Sequence, residues 1–146
     1  MKIYKTIEWD MGHRIPNHLS QCRNLHGHRY KLEVCLEGQL IKNPGNSSES
    51  MVMDFGQIKQ ILEAEVRNVC DHGFMVWRGD KKLLDFFKKN QDLKHIVVPF
   101  IPTAEEISDW LFNKLNRKFK DKFKTGLILK SVTVWETPSS RATYEA

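Results

Sequence analysis

The sequence predicts an α+β fold in which amphipathic helices cover one face of a four-stranded, mostly antiparallel sheet. Apolar and polar residues alternate in two early segments, which indicates two strands close together in the chain. Two later segments carry apolar residues at helical spacing, and each is followed by a strand-like apolar run, which gives the order β-β-α-β-α-β. No internal repeat or linker divides the chain, so we expect a single domain over residues 1–146.

The first two predicted strands are residues 2–13 and 28–38. In the first, one face is apolar and the other polar, and the apolar residues are Ile3, Ile7, Trp9 and Met11. The second alternates in the same way, and its apolar residues are Tyr30, Leu32, Val34 and Leu36. The stretch NPGNSSES, residues 43–50, is typical of a turn or loop.

The first long helix is predicted to follow the short extended segment MVMDF, residues 51–55. Asp54 can cap this helix, because its side chain can accept a hydrogen bond from a free backbone N–H group. Helical spacing then continues through Phe55, Ile58, Leu62, Val66 and Val69. Gly73 after the sequence CDH is the expected stop.

Four elements are predicted in the second half of the chain. Residues 80–89 indicate a short helix, and HIVVPF, residues 95–100, indicates a strand. Thr103 is the expected cap of a second long helix, whose apolar face contains Ile107, Trp110, Leu111 and Leu115. The last predicted strand is LILKSVTVWE, residues 127–136.

The composition is that of an ordinary globular domain and excludes several classes of function. No apolar run approaches the roughly 20 residues that cross a bilayer, and the first residues do not form the apolar segment of a signal peptide. We therefore expect a cytoplasmic protein without a membrane partner. In that reducing compartment the three cysteines, Cys22, Cys35 and Cys70, should be free thiols.

The formal net charge of +5 suits an anionic partner. No signature of a common nucleic-acid-binding module accompanies the charge, so we do not expect nucleic acid as the partner. Lysines on the solvated faces of helices account for much of the charge. A small anionic substrate such as a phosphate ester also fits it.

Three histidines share one strand face and form a candidate metal site. His26 and His28 have the parity of Tyr30 in the second strand, and His13 has the parity of Met11 in the first. If the two strands pair as a hairpin, all three imidazoles emerge at one end of the apolar stripe. Such a set fits Zn²⁺ with a fourth, open position, which is typical of catalytic zinc. An isolated histidine on an apolar face is more often a packed core residue.

Cys22 lies four residues before His26, and this spacing is compatible with two roles. It is either a fourth zinc ligand, which closes the site, or a thiolate beside the metal that serves as base or nucleophile. Cys35 and Cys70 fit the simpler interpretation of small buried hydrophobic residues. Cys35 falls on the strand face opposite the histidines.

Two further motifs carry carboxylates. In Asp71–His72, the carboxylate can orient the imidazole and stabilise its charged form, although taken alone the pair is better explained as the C-cap of a surface helix. Glu136 ends the last strand, where it is either solvated or free to grip a guanidine-like ligand edge through two hydrogen bonds.

Together these pieces resemble the 6-pyruvoyltetrahydropterin synthase family, also called the QueD or 6-carboxytetrahydropterin synthase family. The resemblance covers nearly the whole chain, and its specificity comes from the order and spacing of motifs that are weak alone. These motifs are His13, residues 22–28, MVMDF (51–55), Asp71–His72, PTAEE (102–106) and Glu136 with Thr137.

The resemblance implies the tunnelling fold, or T-fold, in which sheets of several subunits join into a barrel, commonly in a hexamer. It implies that His13, His26 and His28 bind zinc, that Cys22 is the proton-abstracting thiolate, and that Asp71 with His72 completes the proton relay. Glu136 would hold the aminopyrimidine edge of a pterin. The implied substrate is 7,8-dihydroneopterin triphosphate.

Two branches of this family form different products, either 6-pyruvoyltetrahydropterin or 6-carboxytetrahydropterin with acetaldehyde on the route to queuosine. Three residues separate Cys22 from the HGH motif, which resembles the carboxy branch. A non-catalytic zinc-stabilised binding module is the alternative from another class of function. No motif identifies the residues that contact the triphosphate, and Arg14, Arg23 and Arg29 are candidates by proximity only. The sequence DHGFMVWRGD departs from the family pattern after His72.

Overall fold

The computed structural model describes residues 1–123 and 126–146. Six strands form one sheet in the order β4-β3-β1-β2-β5-β6. The strands are β1 (Lys2–His13), β2 (His26–Glu37), β3 (Gly73–Trp77), β4 (His95–Val98), β5 (Ile128–Thr137) and β6 (Ser140–Glu145). The helices are α1 (Phe55–Leu62), α2 (Asn68–Cys70), α3 (Lys81–Lys89) and α4 (Ala104–Lys122).

The β1–β2 hairpin has the antiparallel pairing that the alternation predicts. Its register runs from Lys2 opposite Glu37 to His13 opposite His26. Because side chains alternate between the two faces of a strand, this register places the apolar stripes of both strands on one face. Trp9, Tyr30 and Leu32 on that face are almost fully buried.

The long helices cover this apolar face, as predicted for an α+β fold. Asp54 caps α1 by accepting a hydrogen bond from the Gly56 N–H, and Thr103 caps α4 by accepting one from Glu106. A π-helical turn, Glu63–Arg67, joins α1 to α2, and the helical segment ends at Cys70, near the predicted CDHG stop. Gly73 is not the stop itself, because it is the first residue of β3. None of the helices in the described ranges is long and apolar enough to cross a bilayer.

The predicted four-stranded sheet is wrong by two strands, and the first of them is β3. This strand pairs in parallel with β1 and β4, which makes the sheet mixed. Met75 packs into the main core, whereas its neighbour Val76 packs against α3 with Leu83 and Phe87. Both faces of β3 are thus covered, so its sequence lacks the alternation by which a half-buried strand is recognised.

The second strand that the sequence analysis missed is β6. It pairs antiparallel with β5 and forms an edge of the sheet. Most of its side chains are exposed. Ala142 and Tyr144 are the apolar residues of one face, and the Tyr144 ring packs against Phe112 of α4 with centroids 4.8 Å apart. Two apolar residues in so short a segment are a weak periodic signal, so the sequence did not reveal this strand.

Candidate active site

Three imidazoles meet at the end of the β1–β2 hairpin. His13 and His26 are register partners, and His28 lies opposite Met11. The ring centroids of His13 lie 4.6 Å from His26 and 5.1 Å from His28, and those of His26 and His28 are 5.0 Å apart. One ligand atom from each ring lies within 4.8 Å of the other two. The structure thus brings together the three histidines that strand parity selects.

Backbone carbonyl groups determine which ring nitrogen carries the proton in His13 and His26. The Nδ1 atom of His13 is 2.7 Å from the Pro102 carbonyl oxygen, and that of His26 is 2.8 Å from the Asn24 carbonyl oxygen. A carbonyl oxygen only accepts hydrogen bonds, so each Nδ1 carries the proton and donates it. The lone pair of each neutral ring is then on Nε2.

The Nε2 atoms of all three histidines are buried, and none has a hydrogen-bond partner among the described residues. Burial lowers the pKa of His13 to about 4 and also lowers the pKa of His28. Both rings are consequently neutral near pH 7, the form that binds metal. Three converging, buried imidazole nitrogens match the ligand set of an open zinc site. One metal ion would satisfy all three atoms at once.

Tyr30 and Glu136 border the histidine trio. The buried Tyr30 hydroxyl lies 3.2 Å from His13 Nδ1, and its ring packs edge-on against His28. The Oε1 atom of Glu136 is 3.4 Å from His28 Nε2. Glu136 therefore lies beside the trio on the same face of the sheet, as a ligand-binding carboxylate at the end of β5 requires.

The carbonyl groups of Pro102 and Asn24 are parts of the site that the sequence analysis missed. Asn24 lies just two residues before His26, so local geometry explains its contact. Pro102 is 89 residues from His13 and reaches it through the loop between β4 and α4. No pattern in the sequence signals a main-chain contact across that separation.

Cys22 lies in a short 3₁₀ turn, Gln21–Arg23, and is partly buried. Its carbonyl oxygen accepts a hydrogen bond from the Ile15 N–H, which ties the turn to the end of β1. Its sulfur is not among the ligand atoms that converge with those of the histidine trio. The thiol accordingly lies in the loop that joins β1 to β2, outside the group of three converging imidazole nitrogens.

Asp71 and His72 form an ion pair with an unusual backbone. Asp71 Oδ2 is 3.0 Å from His72 Nδ1, and Asp71 Oδ1 accepts a hydrogen bond from the Asp10 N–H. That hydrogen bond lowers the pKa of Asp71, and His72 lowers it further. The φ angle of His72 is 56°, in the left-handed region that glycine favours.

The His72 side chain is 78% exposed, so it does not join the buried trio. It borders a groove that is also lined by Asp10, Arg29 and His28. Its ring is not among the three that converge, so within one chain the Asp71–His72 pair lies beside the trio without joining it.

Two of the three candidate arginines are already paired. Arg14 forms a double hydrogen bond with Asp80 at 2.6 and 2.7 Å, and Asp80 is buried. Arg29 forms a double hydrogen bond with Asp10 at 3.0 and 2.9 Å. Arg23 is exposed, and its side chain makes no ion pair with any residue in the described ranges. Of the three, Arg23 is therefore the most available to an anionic ligand.

The sequence matches the family model of 6-pyruvoyl tetrahydropterin synthase over residues 2–146. A curated relative from Haemophilus influenzae, named 6-carboxy-5,6,7,8-tetrahydropterin synthase, is 36% identical over 146 residues, which cover 99% of this chain and 98% of the relative. A protein of the same name from Rickettsia bellii is 33% identical and covers 95% of this chain and 96% of the relative.

Solved structures share the fold. An uncharacterised protein from Wolinella succinogenes superposes with a TM-score of 0.80 at 26% identity, over 99% of this chain and 97% of the other. The 6-pyruvoyl tetrahydropterin synthase of Caenorhabditis elegans superposes with a TM-score of 0.69 at 22% identity, over 100% of this chain and 95% of the other. These similarities confirm the T-fold predicted from the sequence.

Proposed function

Because the chain belongs to the 6-pyruvoyl tetrahydropterin synthase family, we propose that it is a 6-carboxy-5,6,7,8-tetrahydropterin synthase. In this proposal residues 1–146 form one domain. It converts 7,8-dihydroneopterin triphosphate and one water to 6-carboxytetrahydropterin, acetaldehyde and triphosphate, as a lyase of queuosine and 7-deazaguanine biosynthesis. The observation that carries the proposal is the convergence of three buried imidazole nitrogens beside the Glu136 carboxylate.

His13, His26 and His28 would hold one Zn²⁺ through Nε2. When bound, the metal supplies a Lewis acid that polarises the oxygens of the substrate side chain and so acidifies its C–H bonds. The carbonyl groups of Pro102 and Asn24 keep the His13 and His26 rings in the required tautomer and orientation.

Glu136 would select and orient the pterin. An ionised carboxylate can accept two hydrogen bonds from the planar N–H edge of an aminopyrimidine, which fixes the ring in one plane. Glu136 lies 3.4 Å from His28, so a ring held there extends its side chain toward the trio. Binding at one end of the substrate thereby positions the reacting carbons at the other.

Cys22 and the Asp71–His72 pair would move protons. The Cys22 thiolate removes a proton from the substrate side chain. Asp71 holds Nδ1 of His72, so Nε2 is the atom at which His72 exchanges a proton, and the Asp71 carboxylate stabilises the imidazolium. Cys22 in this role explains why the trio lacks a sulfur ligand.

A homo-oligomer would complete the site. His72 is exposed and its ring is not among the three converging imidazoles, so the pair that one chain presents is free to serve the trio of a neighbour. We therefore propose a homo-oligomer, with the hexamer of the family as the expected form. Sedimentation of the zinc-loaded protein tests this part of the proposal.

Identifying the products tests the function. The zinc-loaded protein is incubated with 7,8-dihydroneopterin triphosphate, the pterin product is identified by mass, and acetaldehyde is trapped as a hydrazone. We expect 6-carboxytetrahydropterin and the hydrazone in equal amounts. Formation of 6-pyruvoyltetrahydropterin without acetaldehyde would assign the chain to the other branch. Zinc binding without any turnover would favour a binding module.

A further inference from the structure

A groove of about 900 Å³ lies beside His72, between the loop after β1 and the helix α3. The loop contributes Arg23, Asn24 and Leu25, which directly follow Cys22 in the chain. His72 lines the groove from the side of β3. The groove thus adjoins both segments that carry the proposed proton-transfer groups, and the function proposed above leaves it without a role.

The charge of the groove is predominantly positive. Arg14, Arg23, Lys82, Lys89 and Lys94 line it, whereas Asp85 is the lining residue with a negative charge. Arg14 is neutralised by Asp80. Arg23, Lys82 and Lys89 form no ion pair in the part of the chain that the structure describes. Three cations are therefore open to an anionic ligand.

The remaining lysine links the groove to the catalytic pair. Lys94 Nζ donates hydrogen bonds to the carbonyl oxygens of Asn68 at 3.0 Å and Asp71 at 2.6 Å. Its ammonium group is thus fixed next to the backbone that supports His72. An anion attracted by this charge lies close to the imidazole that would exchange protons with the substrate.

Lys82 and Lys89 are spaced for an extended anion. They are seven residues apart on α3, which is two helical turns or about 10 Å along one helix face. Apolar side chains, among them Leu83, Phe86 and Leu93, form much of the wall between the cations. Apolar walls weaken solvent screening and focus the field of the surrounding charges. A chain of several phosphates suits such a groove better than a single anion does.

We propose that this groove binds the triphosphate group of the substrate. The inference rests on the proposed function, because it concerns the triphosphate of 7,8-dihydroneopterin triphosphate. In this arrangement Lys82 and Lys89 contact the phosphates. Lys94 lies at the end of the groove nearest His72. Arg23 contributes a third cation from the loop that carries Cys22. The groove then adds binding energy at a distance from the reacting carbons.

The test compares two double variants of the zinc-loaded protein that have the same net charge. Lys82→Gln with Lys89→Gln removes two groove cations. Lys81→Gln with Lys88→Gln removes two cations of the same helix that do not line the groove. Isothermal titration calorimetry measures the binding of inorganic triphosphate, with excess magnesium so that the triphosphate does not extract zinc. Steady-state kinetics with 7,8-dihydroneopterin triphosphate follow.

We expect the groove variant to bind triphosphate at least about tenfold more weakly than wild type, which is about 1.4 kcal/mol, because it loses two charge-assisted contacts. Its KM should rise in parallel while kcat changes little, and the control variant should match wild type within about twofold. Equal weakening in both variants would show general surface attraction and overturn the proposal, as would a wild-type protein that does not bind triphosphate. Triphosphate binding that requires Lys82 and Lys89, without turnover of the substrate, would support the groove and refute the synthase function instead.

Discussion

His13 and His26 face each other across the β1–β2 hairpin as direct register partners, with ring centroids 4.6 Å apart. A slip of one residue in this register would turn one of the two rings to the opposite face of the sheet. The histidine trio and the apolar core therefore depend on the same strand register. The buried stripe that fixes the register also fixes which histidines converge.

We predict about one zinc ion per chain, bound through all three histidines. Alanine at His13, His26 or His28 leaves two imidazoles, so zinc affinity should fall by at least about tenfold in each variant. Elemental analysis after dialysis against a weak chelator measures the retained metal. His18→Ala is the matched control, because His18 is exposed and lies outside the trio. Full zinc content in all three ligand variants would refute the site.

Cys22→Ala should retain zinc and lose turnover. The thiol is proposed to be the base that removes a proton, and the loss of a general base typically costs about 10²–10⁴ in rate. Zinc content and kcat are measured on the same preparation. Zinc loss as extensive as that of His26→Ala would show that Cys22 is a fourth ligand, and the binding-module alternative would gain support.

Glu136→Gln should weaken substrate binding and leave the fold intact. The amide removes the charge that strengthens hydrogen bonds to the pterin edge, so we expect KM to rise by about tenfold to a hundredfold. Thermal unfolding of the variant should match wild type. Glu145→Gln removes an equivalent charge from the neighbouring edge strand and serves as the control. An unchanged KM in the folded Glu136 variant would exclude the anchoring role.

Arg14→Met should destabilise the protein by about 2–3 kcal/mol at pH 7, because it leaves the buried Asp80 carboxylate unpaired. Burial opposes ionisation of Asp80, but the hydrogen bond from Arg14 outweighs it and holds the pKa of Asp80 below its usual value. A lowered folded-state pKa stabilises the protein above the unfolded-state pKa of about 4, and this contribution is lost as the pH falls through the folded-state pKa. Urea unfolding measures the free energy of unfolding of both proteins. The difference in this free energy between wild type and variant should therefore become smaller below about pH 4.

The double variant Arg14→Met with Asp80→Asn checks this explanation. Asparagine removes the unpaired charge and can still cap α3, where Asp80 now accepts a hydrogen bond from the Leu83 N–H. The double variant should consequently be more stable than Arg14→Met alone. If the double variant is less stable than the single variant, the destabilisation caused by Arg14→Met comes from lost packing and not from the unpaired Asp80 charge.

Local patterns in the sequence predicted the parts of the fold that have one apolar and one polar face. The β1–β2 hairpin and the face of its three histidines followed from alternation, and the caps at Asp54 and Thr103 followed from residue type. The strand β3 was missed because both of its faces are covered, and β6 because it is short and only Ala142 and Tyr144 mark its apolar face. A period-two signal exists only where the two environments differ.

In the site, residue type identified the groups that carry chemistry but not the groups that orient them. The contact from Pro102 to His13 depends on the path of the loop before α4. Every residue has a main-chain carbonyl oxygen, so the residue type does not indicate which one makes the contact. The sequence also did not predict that Asp71–His72 lies apart from the trio within one chain. This position results from the parallel placement of β3 beside β1. Both features are products of tertiary packing.

The left-handed backbone of His72 implies a conflict between stability and activity at this residue. A side chain with a Cβ atom costs about 1 kcal/mol or more in this region, whereas glycine adopts it without strain. His72→Gly should therefore unfold at the same or a higher denaturant concentration than His72→Ala, although neither variant retains the imidazole. Selection for stability alone would favour glycine at this position. The proton exchange proposed for His72 would account for a strained imidazole at this position.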